Sequence, residues 1–136
     1  MVTRTMPRVQ EVLLPILRAE LPGVSITGKL PPISHRDYPL VNIRRIGGSA
    51  VDMRFLDRPT LEVLAVTGGS PVDAENLYLD VRQAIFDAVD RQTVVEGVGH
   101  LHSFAEQMGP TPFDSPYSNT WGVQGLIQVG LRPRRS

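Results

Sequence analysis

Cysteine is absent from this chain, so disulfides and thiolate metal sites are excluded, and the redox compartment leaves no trace in the sequence. Lysine is nearly absent too: Lys29 stands against thirteen arginines. A GC-rich genome accounts for such a bias. Arginine also suits protein interfaces, because its guanidinium is planar and weakly hydrated. Neither sign of charge prevails, with 14 basic residues against 14 acidic ones, which excludes a global attraction to nucleic acid or to an anionic membrane. No apolar run approaches the roughly 18 residues of a membrane span. No apolar stretch with a small-residue cleavage site opens the chain, so the expectation is a protein assembled in the cytosol. Repeats and low-complexity segments are also missing. At 136 residues there is room for one core, which predicts a single α+β domain over residues 1–136 with a short flexible basic tail at about 132–136.

The strongest pattern present is the alternation from Thr120 to Leu131. Trp121, Val123, Gly125, Ile127, Val129 and Leu131 fall on one face, as in a long half-buried antiparallel strand. A chain that ends by completing a sheet points to a scaffold that works through its surfaces. Val9, Val12, Leu13, Ile16, Leu17 and Leu21 repeat at helical spacing, predicting a helix over 7–21 with Pro7 in its first turn. Pro15 removes a backbone hydrogen bond there at a cost of about 3 kcal/mol, which predicts a kink or a break. Strands are expected over 24–30, 40–46 and 61–67, the last central and entered through Asp57-Arg58-Pro59. Ser70-Pro71-Val72-Asp73 has the chemistry of a helix start: a capping hydroxyl, a proline at the first helical position and an acid in the first turn. That helix runs to about Arg91, with Leu77, Val81, Ala84, Ile85 and Ala88 inward and Asp80, Asp87 and Asp90 outward. Residues 93–104 form a strand loosened by Gly97 and Gly99. The order α-β-β-β-α-β-β implies an α+β fold, with one mainly antiparallel or mixed sheet of about four to five strands and two packed helices.

Catalytic patterns are sparse. His100 and His102 share a strand face, a usable metal-ligand spacing, yet no His-Glu-x-x-His or related pattern supplies a third ligand. Ser34, His35 and Asp37 lie close in sequence, but a nucleophile triad is assembled from distant segments around an oxyanion hole, and no Gly-x-Ser-x-Gly elbow exists. Gly47-Gly48-Ser49 and Gly68-Gly69-Ser70 lack the lysine of a phosphate-binding loop. Arg132, Arg134 and Arg135 form a small basic patch without interleaved aromatics, which argues against specific nucleic-acid recognition. Arg44-Arg45 lies in a strand, so the two side chains point to opposite faces, and one must pair, snorkel or reach a neighbour. Three loops remain, at 30–38, 47–55 and 109–117. Long loops on a small scaffold commonly carry function, and proline lowers the entropy lost when the first and third meet a partner. These features favour an oligomeric or interaction protein over an enzyme.

In order and spacing the chain resembles the tail terminator (tail completion) proteins of long-tailed, siphovirus-type phages that infect actinobacteria. The features that carry the likeness run nearly end to end. They are the first helix closed by Leu21-Pro22-Gly23, the strand ending Arg45-Ile46-Gly47-Gly48, and Leu56-Asp57-Arg58-Pro59-Thr60 before the central strand. The acid-capped helix from Asp73 and Pro116-Tyr117-Ser118-Asn119-Thr120 before the final strand complete the set. Pro15 and the His100/His102 pair lie outside this pattern. The resemblance implies a structural protein of the virion tail, assembled in the host cytoplasm and placed at the head–tail junction. It would form a ring, usually a hexamer, that caps the tail tube, stops its polymerisation and joins the head-side connector. Its partners would be copies of itself, the tail-tube protein and a head-side neck protein, with no cofactor, no metal, no membrane and no specific nucleic acid. For ring and tube contacts the residues chosen are Arg44, Arg54, Asp57, Arg58 and Tyr117. The alternatives are another neck protein (a head-closure or head–tail joining factor), a small metal-dependent enzyme using His100 and His102, or a generic interaction domain.

Overall fold

The C-terminal alternation forms the spine of the molecule. In the computed structural model, which describes residues 2–114 and 119–135, the elements run α1 (Val9–Glu20), β1 (Ser25–Thr27), β2 (Leu40–Asp52), β3 (Leu56–Thr67), α2 (Pro71–Asp90), β4 (Val94–Val95), β5 (Gly99–Phe113) and β6 (Trp121–Pro133). The strands make one six-stranded sheet in the order β1-β2-β3-β6-β5-β4. The short β1–β2 pair is parallel and every other pair is antiparallel. The fold is α+β as expected. The additional strand, β4, is two residues that split from the 93–104 segment, where the chain turns at Gly97 with φ +77°.

β3 and β6 lie at the centre, and their inward residues meet the helices. Leu61, Val63 and Ala65 of β3 and Val123, Ile127, Val129 and Leu131 of β6 are buried, with Val41, Ile43 and Leu101 beside them. α2 lays Ala74, Leu77, Tyr78, Val81, Ala84, Ile85 and Ala88 on this face. Ser70 caps it as its sequence requires, its hydroxyl accepting from the Asp73 N–H at 3.1 Å. Tyr78 packs directly against Gly125, where any Cβ would run into its ring and hydroxyl. The Tyr78 hydroxyl donates to Glu106 at 2.9 Å, and Arg82 grips the same carboxylate at 3.0 and 3.1 Å. Burial, and then the bond to Glu106, raise the tyrosine pKa far above its ordinary value.

α1 buries Val9, Val12, Leu13, Ile16 and Leu17. It is one continuous helix across Pro15, so the expected break does not occur. The bond that proline deletes is to the carbonyl of Glu11, on the same outward face one turn earlier, where water can serve it. Pro7 lies before the helix, whose first turn is closed instead by Arg8 and Glu11. α1 is fastened to the sheet edge by side chains: Gln10 donates to the carbonyls of Gly28 and Ile43 (3.2 and 2.9 Å), and Arg18 to that of Ile26 (2.9 Å).

Two segments read from sequence as loops are strands. Residues 47–52 extend β2, and only Met53, Arg54 and Phe55 turn the chain back into β3. β5 runs to Phe113 through register shifts that absorb Gly109 and Pro110. Pro59 sits inside β3 and not at its entry; the β3–β6 pairing lapses at Arg58 and Pro59, which has no N–H to give, and resumes at Asp57 in the same register.

Candidate assembly surfaces

The β2–β3 hairpin is a long arm. β2 is buried from Leu40 to Ile43, then exposed almost throughout to its tip, because no helix covers it there. Its distal half is held by polar bonds in place of packing. Asp57 is only 5% exposed, and Arg45 meets its two oxygens at 2.7 and 3.1 Å. The same guanidinium donates to the carbonyls of Gly47 and Gly48 at 3.0 and 3.1 Å, and the Arg58 N–H donates to Asp57 at 2.9 Å. Gly48 adopts φ +85° and lies against the backbone of Arg58, so only glycine fits this bend in the arm. On the opposite face Arg44 pairs with Glu62 at 3.2 Å, directly across the ladder. The two arginines thus divide between faces as expected, and both are paired.

At the tip, Asp52 accepts from the Arg54 N–H (2.9 Å) and from its guanidinium (3.2 and 3.3 Å), and the cation lies 4.9 Å from the centre of the Phe55 ring. Arg54 holds the Asp52 carboxyl below its ordinary pKa. Beside these groups Val51, Met53 and Phe55 are open to solvent, Met53 at 78%, as is Ile46 farther back along the arm. Of the five residues chosen from sequence, Arg44, Arg54, Asp57 and Arg58 all fall on this arm. Three are surface groups, and Asp57 is an internal tie. Tyr117 lies outside the described residues. The exposed apolar series was not anticipated, because a segment read as a loop gives no reason to ask which side chains it presents.

The sheet also has two unpaired margins among the described residues. β1 covers β2 only from Leu40 to Asn42, and β4 covers β5 only at Gly99 and His100. The remainder of each long strand offers backbone groups to a further chain, on opposite sides of the sheet.

A third feature gathers at the arm-tip end. Arg54 and Phe55 face Arg4, His100, His102, Arg132, Arg134 and Arg135 across an open cleft of about 960 Å³. His100 pairs with Arg132 across β5 and β6, and a register shift follows at His102. Burial lowers the His100 pKa, and the neighbouring charges of Arg132, Arg135 and His102 lower it further. Arginines therefore surround the histidine pair, a setting that repels a cation. Among the described residues no three of His, Asp and Glu come together as a ligand set. The basic tail is part of this cleft, with Arg132 and Pro133 already belonging to β6 and the Arg134 N–H bonded to Val98.

The chain matches the family described as Phage tail termination protein over residues 5–136. The Gene 22 protein of Mycobacterium phage D29 is 41% identical over 135 residues, covering 96% of both chains. The Gene 22 protein of Mycobacterium phage L5 is 39% identical over 137 residues with the same coverage. Among solved structures, a chain from the virion of the native gene transfer agent (GTA) particle aligns with a TM-score of 0.46 and 12% identity, covering 91% of this chain and 94% of that one. The chain belongs to the phage tail termination protein family. It is a structural protein of the phage tail and not an enzyme, and the resemblance carried by the order of its elements is borne out.

Proposed function

We propose that copies of this chain close into a ring that caps the tail tube, stops its polymerisation and presents the surface that joins the head-side connector. Six copies is the number usual for the proteins it resembles. The observation that carries this reading is the β2–β3 arm. It is stiffened by Arg45 and Asp57, yet it presents Ile46, Val51, Met53 and Phe55 to water beside an unpaired strand edge. Exposed apolar side chains gathered along a stiff arm suit a protein contact. The two open margins differ from each other and lie on opposite sides of the sheet, which suits heterologous contacts, the kind that close into rings when the rotation fits. In this reading Arg44, Arg54, Arg58 and Tyr117 touch a neighbouring copy or the tube, and Asp57 acts through Arg45 by keeping the arm in shape.

The test is negative-stain electron microscopy of the tail-tube protein from the same genome, polymerised with and without this protein. Tubes of limited length that carry a ring at one end support the reading. An unchanged length distribution with no bound density overturns it. Binding to a head-side connector in place of the tube would assign the chain to another position in the neck.

A further inference from the structure

Overall neutrality conceals two opposed surfaces. Along α2, Asp73, Asp80 and Asp87 recur every seven residues. That interval is two helical turns, so the three carboxylates line up about 10.5 Å apart on one face, and Asp90 extends the line. Asn76 and Gln83 fill the positions between them, both exposed. Among the described residues none of these four acids has an ion pair. Arg82, the one cation inside the helix, is committed to Glu106. Asp87 and Asp90 sit near the helix C-terminus with no basic residue in the last turn, where the helix dipole disfavours negative charge. Asp73 suits the helix N-terminus, and Asp87 accepts from Gln83 at 2.9 Å, so the stripe is a solvated face whose carboxylates meet no cation of the described residues and stay open to a partner's.

The cleft at the arm-tip end is its electrostatic complement. Arg4, Arg54, Arg132, Arg134 and Arg135 line it together with two histidines and no acid. Among the described residues only Arg54 of the five has a carboxylate partner, Asp52; Glu96 lies on the rim of the adjoining hollow. We infer that the carboxylate stripe of α2 in one copy seats in the arginine cleft of the next, head to tail around the ring. This rests on the ring reading above and names its interface. A nucleic-acid phosphate backbone would also suit the cleft alone. A second copy is favoured because the same neutral chain carries both the cleft and a run of carboxylates that have no ion pair among the described residues. The two surfaces are different patches, so the contact is heterologous: a joined pair still has one stripe and one cleft free, and only a closed ring fills both.

The experiment uses the full chain and two charge-reversed variants, Asp80→Lys/Asp87→Lys and Arg132→Glu/Arg134→Glu, whose folding is verified by circular dichroism and thermal unfolding. Ring formation on tail tubes is followed by electron microscopy, and self-association by sedimentation. Each variant alone should assemble about tenfold or more weakly than the natural chain, since like charges then meet at every junction. An equal mixture should recover assembly, because the lysine helix of one variant fits the glutamate cleft of the other. Two outcomes overturn the inference and leave the ring reading standing: natural-chain rings with variants that assemble equally well, or folded variants that fail both alone and together. Loss of binding to a short DNA duplex by the arginine variant, with its rings intact, would instead assign the cleft to phosphates. A natural chain that forms no ring and caps no tube overturns both readings.

Discussion

Arg45 and Asp57 meet through two parallel hydrogen bonds, at 2.7 and 3.1 Å, across the β2–β3 ladder. The carboxylate is almost fully enclosed while the guanidinium is about one-third open to water. Removing the acid leaves a cation that can still hydrate, but it frees the Arg58 N–H and loosens the two carbonyls that Arg45 holds. Asp57→Ala should therefore lower stability by about 1–3 kcal/mol in urea unfolding. It should also increase amide exchange at residues 46–58 while α2 stays protected. Uniform exchange along both elements would contradict a local tie.

At Gly125 of β6, Tyr78 of α2 comes flush with the sheet. Gly125→Ala pushes Tyr78 away from the strand and strains its bond to Glu106. The loss should be about 1–3 kcal/mol by thermal unfolding, as for overpacked cores. A change within about 0.5 kcal/mol, the range of an ordinary surface substitution, would show that Tyr78 has room to move.

The titration of His100 sets a sign for the pH response. Its folded pKa lies below the ordinary value of 6.5, so the unfolded chain takes up the proton first. Stability is complete above that value and is lost as pH falls through it towards the folded pKa. His100→Gln should flatten the stability curve over that slightly acidic window. A slope that survives the substitution would place the response on other groups.

Met53 and Phe55 contribute little to the folded monomer, since both lie in the open at the arm tip. Met53→Ser/Phe55→Ser should change unfolding stability by no more than about 0.5 kcal/mol and should abolish tube capping. Normal capping by this variant would remove the arm tip from the contact surface.

The helices and the final strand were legible in the sequence because each has one apolar face and one end with distinctive chemistry. Ser70-Pro71 marked the start of α2, and the Trp121–Leu131 alternation marked β6. The arm was not legible. Beyond Ile43 neither face of β2 is covered, so no alternation develops, and Gly47-Gly48 imitates a turn while serving a bend inside a strand. Pro110 and Pro112 misled in the same way, since an edge strand tolerates a missing donor that an inner strand does not. The candidate residues Arg44, Arg54, Asp57 and Arg58 did fall on one element. Their division of labour was hidden, however, because a buried carboxylate and an exposed one look alike until the partner Arg45 is located. The cleft was invisible for a different reason: its arginines come from the N-terminal segment, the arm tip and the C-terminus, and only the folded chain brings these together.

The prolines of β5 also bear on how the protein keeps before use. A straight, fully hydrogen-bonding margin invites one strand after another and ends in fibrils. Here one margin is interrupted at Pro110 and Pro112, and the other is bent at Ile46 and Gly48. Neither can seed indefinite growth, although each can still accept a neighbour shaped to fit it. Association at these margins is thereby left to neighbours that match their contours.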